Sequence, residues 1–77
     1  MTEESKNNAI AFVRAEIAAL AEQSDNAERL AYHHRADGAL FAIHAAGLIT
    51  HEELLALGNE IGIANTNASN QVLAAKQ

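Results

Sequence analysis

Between Ala27 and Leu48 the chain carries a helical run that is apolar on two sides instead of one. At about 100° per residue, Leu30, His34, Phe41, Ala45 and Leu48 fall on one side and Tyr32, Ala36, Ala39, Ile43 and Ala46 roughly opposite. A surface helix needs one apolar stripe, so a helix with two expects neighbours on both sides. The Leu30/Phe41/Leu48 side has takers within the chain. The small-residue side has few, which predicts an oligomer interface at Tyr32, Ala36, Ala39 and Ile43.

Size sharpens that expectation. A chain of 77 residues makes one small domain, below the length at which a single core is comfortably stable. It has no Cys, so disulfides and thiolate zinc sites are excluded, and self-association is the remaining supplement. Much of the apolar content is Ala, whose burial gains little, so the core should be thin and its helices close together. Pro is absent, no stretch alternates like a strand, and helix is favoured throughout.

The first helix is expected over about 3–22, where Ile10, Val13, Ile17 and Leu20 form a narrow seam. Phe12, Ala15 and Ala19 lie round from it as a weaker second face. Asp25, followed three residues on by Glu28, is spaced like a variant of the capping box and would start a second helix over about 26–46. The short connection predicts an antiparallel hairpin. Gly47 suits the left-handed turn of a Schellman ending, with Ile43 and Leu48 as its hydrophobic contact. Thr50 and Glu53 then make a capping box, and Ile49 and Leu54 a hydrophobic staple. A short third helix follows over about 51–62, its inward stripe being Leu54, Leu57 and Ile61. Gly58 and Gly62 weaken its end, and Asn65, Thr66, Asn67, Ser69 and Asn70 predict a polar break, after which the tail over 65–77 either frays or is anchored in a last helical turn by Val72 and Leu73. The expected architecture is all-α: an antiparallel helical hairpin plus a short third helix, self-associating, in a single domain over 1–77.

The run Gly47-Leu48-Ile49-Thr50-His51-Glu52-Glu53-Leu54 resembles the turn of the short bacterial helical-hairpin module called SHOCT, typically Gly-x-Ile-Thr-x-Glu-Glu-Phe. The resemblance covers roughly a quarter of the chain and implies an interaction or oligomerisation element without catalytic residues. The departures are Leu54 where an aromatic is usual and a third helix lacking the usual lysines. Staple, capping box and Schellman glycine together produce the same pattern without ancestry.

Charge and composition exclude several functions. The net charge is −5, and Lys6, Arg14, Arg29, Arg35 and Lys76 are spread along the chain, so no cationic cluster awaits a phosphate backbone. The Gly47 turn also suggests a helix-turn-helix, but its second helix carries Glu52, Glu53 and Glu60, which would repel DNA. Residues Thr2 to Asn8 fit neither a signal nor a transit peptide, and no apolar run reaches membrane-spanning length; a cytoplasmic protein is expected.

Among four histidines, His33 and Asp37 have the helical spacing of two metal ligands, but His44 lies about three turns away. A dimer bringing two such pairs together stays open beside the plainer reading of a solvated polar stripe, and no metal or cofactor is expected. His34, among Leu30, Phe41 and Ala45, reads as a partly buried histidine; at an interface its protonation would switch assembly. Arg14 and Arg35 lie at similar levels of the hairpin, so Arg14, His34 and Arg35 are a candidate anion site. The competing reading pairs each arginine with an acid, Arg35 with Glu28 or Arg14 with a neighbouring chain's Glu16. Ser5, Ser24 and Ser69 sit as caps or in polar breaks, and Glu52 and Glu53 complement the helix dipole, so no catalytic residue is expected.

The function expected is that of a non-enzymatic binding protein, a homodimer as first guess, engaging a protein partner. In size, acidity and lack of cofactor motifs the chain is similar to small accessory proteins of bacteriophages, some of which block host defence systems by occupying a host protein. Two alternatives are a binder of an anionic, nucleotide-like ligand near Arg14 and Arg35, and a purely structural oligomerisation module.

Overall fold

Thr2 stands in extended backbone and its hydroxyl accepts from the Ser5 amide at 3.1 Å, which starts α1 (Glu3–Ala21). Asp25 does the same for α2 (Asn26–Ala45), its carboxylate accepting from the Glu28 amide at 3.1 Å. These bonds satisfy amides that the first helical turn leaves without partners. The computed structural model describes residues 2–76; Met1 and Gln77, the ends of the expected domain and tail, lie outside the described residues.

The joint after α2 follows local rules closely. Gly47 has φ 74°, a left-handed conformation that suits glycine. The Leu48 amide donates to the Ile43 carbonyl at 2.9 Å and the Gly47 amide to His44 at 3.0 Å, the pair of bonds that defines a Schellman ending. The Thr50 hydroxyl then accepts from the Glu53 amide at 3.1 Å, and the Glu53 carboxylate accepts from the Thr50 amide at 2.8 Å. That complete capping box starts α3 (His51–Ala75). Ile49 is buried beside it and Leu54 packs against the same core.

The fold is all-α, with three helices and no strand among the described residues. α1 and α3 run in the same direction, because their partners ascend together: Lys6 with Glu53, Arg14 with Glu60, and Ala21 with Gln71. α2 packs on both α1 and α3, which also pack directly on each other. The bundle measures 48 × 17 × 16 Å.

α3 corrects the expected short third helix and polar tail. It continues through Asn65, Thr66, Asn67, Ser69 and Asn70 to Ala75. Leu57, Ile61, Ala64, Ala68 and Val72 are buried along one line of it, spaced by four or three residues, and that burial outweighs the weak helix propensity of the polar positions. The polar side chains are also put to use. Asn65 accepts from Arg29 of α2 at 2.8 Å, and the Thr66 hydroxyl donates to the Gly62 carbonyl at 3.0 Å. Gln71 donates to the Ala21 carbonyl at 2.9 Å, covering the end of α1.

The use of α2's faces is likewise the reverse of that expected. Ala36 is fully buried, and Leu40 and Ile43 join it in the core with Val13, Ile17 and Leu20 of α1. Tyr32 and Ala39 pack against that core as well. Leu30, His34, Phe41 and Ala45 face outward, and of their side of the helix Leu48 alone reaches the core. The physical reason lies in Leu40, which belongs to neither stripe but falls between Ala36 and Ile43 on the inward line. The Schellman joint sets Leu48 and Ile49 into the core beside this end of α2, and a small side chain at Ala36 lets three helices approach closely.

Candidate functional site

The expected anion site does not assemble. Arg14 donates to Glu60 of α3 through Nε at 3.2 Å and Nη2 at 3.0 Å, a two-pronged pairing. Arg35 donates to Glu16 of α1 at 2.9 Å while its guanidinium lies over the Tyr32 ring, 4.7 Å from the centroid. Hydrogen bonding to Glu60 holds the Arg14 pKa above its usual range, and hydrogen bonding to Glu16 does the same for Arg35. Arg14 and Glu16 differ by about 200° around α1, so the two arginines sit on opposite sides of that helix. His34 is exposed on α2, its ring stacked on that of His33 at 6.2 Å. Neither Glu28 nor a neighbouring chain's Glu16 is needed as a partner.

His33 and Asp37 do approach, at 3.5 Å. His44 lies instead against His51, with ring centroids 6.3 Å apart. Among the described residues no three His, Cys, Asp or Glu side chains converge as metal ligands would.

The expected interface at Tyr32, Ala36, Ala39 and Ile43 is the inner lining of the bundle. Ala36 has no exposed surface and Ile43 retains 8 %, so a second molecule could not reach them without opening the fold. What is exposed is the opposite side of α2 together with the outer side of α3. Phe41 is 64 % exposed, Leu55 61 %, Leu73 60 %, Ile63 57 % and Leu30 42 %; Phe12 of α1 is exposed as well. Arg29 with Asn65, and Leu40 lying 4.0 Å from the Gly58 Cβ position, set the register of α2 on α3. That register places Phe41 level with Leu55. Helical angles put Leu30 and Phe41 on the edge of α2 nearest α3, and Leu55 and Leu73 on the edge of α3 nearest α2. They form one apolar flank.

A third helix ending at Gly62 would lack the α3 half of this flank. The signal for it is the spacing of Leu55, Gly62, Thr66 and Leu73 by seven, four and seven residues, with no charge in residues 61–75. At its middle, Asn59, Gly62, Ile63, Thr66 and Asn67 line a shallow open hollow of about 250 Å³. No described helix is long and apolar enough to cross a membrane.

Comparison of the chain with protein-family models, with curated proteins and with solved structures returned no match.

Proposed function

We propose that the chain is a non-enzymatic helical binding protein that associates with itself and engages a protein partner through the outer flank of α2 and α3. The observation carrying this reading is the group of large apolar side chains left in water there: Leu30, Phe41, Leu55 and Leu73. Fully burying one such side chain gains about 1.5–3 kcal/mol. A small domain that leaves several on its surface has that much association energy in hand, and exposed large apolar side chains gathered on one side mark interaction surfaces.

In its most specific form the partner is a protein of a host defence system, occupied by an inhibitor that a bacteriophage carries. Small size and net acidity support that form. The anion-binding alternative would require Arg14 and Arg35 to leave Glu60 and Glu16, which makes it the weaker reading.

The test replaces Phe41 and Leu73 with Asp in the full chain. Helical content should be kept while light scattering shows loss of self-association and an immobilised sample loses its host protein. A structural oligomerisation module would recover only itself. A wild-type chain that is monomeric and binds no protein would refute the proposal.

A further inference from the structure

We propose that the outer face of α3 seats a second copy of this chain, laid antiparallel so that Leu55 of each protomer packs on the partner's Leu73. This rests on the self-association proposed above and gives it a helix, a direction and a register.

Leu55, Gly62, Thr66 and Leu73 are all exposed. Leu55 and Leu73 are separated by about five whole turns of α3, roughly 27 Å, so they share one line with Gly62 and Thr66 close beside it. The order is large, small, small, large, and it is symmetric about position 64. A two-fold contact requires that residue i meets residue j and j meets i. Antiparallel pairing about position 64 meets that requirement twice, at the two ends, and sets small residues at the centre where the helices must approach. A Cβ built on Gly62 meets nothing within 4 Å, so this position is open in the single chain. Phe41, level with Leu55, widens the seat for the partner's Leu73.

Charge selects the direction. Residues 61–75 carry none, so the centre of the contact has no ion to strip of water. A parallel pair would set the acidic first turn of α3, Glu52 and Glu53, beside its own copy. An antiparallel pair sets it beside the end that carries the partner's Lys76 and opposes the two helix dipoles. The same symmetry selects the occupant, since a second copy of this chain laid antiparallel presents Leu73, Thr66, Gly62 and Leu55 in the matching reverse order.

The chain has no Cys, so introduced thiols are unique. Leu55→Cys and Leu73→Cys chains, mixed under reduction and then oxidised, should give a mixed disulfide dimer in high yield, while each alone gives little. Gly62→Lys should leave helical content intact, since the site is open and lysine is the better helix former, yet weaken the dimer by roughly 100-fold or more in sedimentation. A dimer that survives Gly62→Lys, or in which Leu55→Cys links to itself, overturns this seat and leaves self-association standing. A wild-type monomer throughout the concentration range overturns both.

Discussion

The same substitution, glycine to alanine, should stabilise the protein at Gly38 and destabilise it at Gly47. Gly38 lies in the middle of α2 with helical backbone, and a Cβ there meets nothing within 4 Å. Alanine therefore gains the full difference in helix propensity, about 1 kcal/mol, without a clash. For a domain of this size that corresponds to a rise in Tm of about 4–8 °C. At Gly47 there is equally nothing for a Cβ to strike, but φ is 74°. An L-residue held there loses about 1–2 kcal/mol, so Tm should fall by roughly 4–16 °C. Against a total stability of about 4–12 kcal/mol, at 0.05–0.15 kcal/mol per residue, both shifts are large. Two-state melting by far-UV circular dichroism on dilute samples reads them directly. The double variant should melt close to the wild type, because the sites share no contact. A Gly38→Ala variant that melts lower would mean the outer face of α2 is covered in the native protein. A Gly47→Ala variant that melts unchanged would mean the Schellman turn is absent.

Acid should weaken the joint before α3 through Glu53, whose pKa is held below the ordinary glutamate range by the Thr50 amide and then by Lys6. The unfolded chain then takes up that proton first as pH falls, so the contribution is whole above the ordinary range and lost through the lowered value. Glu53→Gln should flatten the acid limb of stability in urea titrations; an unchanged limb would discount the capping box. Ala36→Glu should abolish the cooperative thermal transition by burying an unpaired charge, whereas Phe41→Glu should fold; a folded, monomeric Ala36→Glu would restore the discarded interface. Val72→Ala should lose about 1–3 kcal/mol in urea unfolding and speed amide exchange across 66–72. A neutral result would return that segment to a frayed tail.

What could be read from the residues alone was what neighbouring residues settle between themselves. Thr50 with Glu53 and Gly47 with Ile43 and Leu48 are decided within six positions and stand as their spacing suggests, while Asp25 with Glu28 supplies the N-cap bond to the Glu28 amide. The length of α3 was not legible, because Asn65 to Asn70 are poor helix formers whose conformation is carried by Ala64, Ala68 and Val72 in the core and by Arg29 and Ala21 on other helices. The inward face of α2 was not legible either. Two stripes of similar apolar content compete, and Leu40, which decides between them, belongs to neither. For the candidate anion site the level of Arg14 and Arg35 was readable but not their angle around α1, and angle is what sends them to different carboxylates.

The bond from Gln71 to the Ala21 carbonyl joins residues 50 positions apart, and the pairs of Arg14 with Glu60 and Lys6 with Glu53 span nearly as much chain. During synthesis, then, α1 emerges from the ribosome long before the helix that closes over it exists. Until α3 arrives, Val13, Ile17 and Leu20 have only α2 to lie against, and until its last turns form, the end of α1 keeps an open carbonyl. The chain must therefore complete its core as one late event rather than piece by piece, and interrupted products will expose the first helix's apolar seam to other nascent chains.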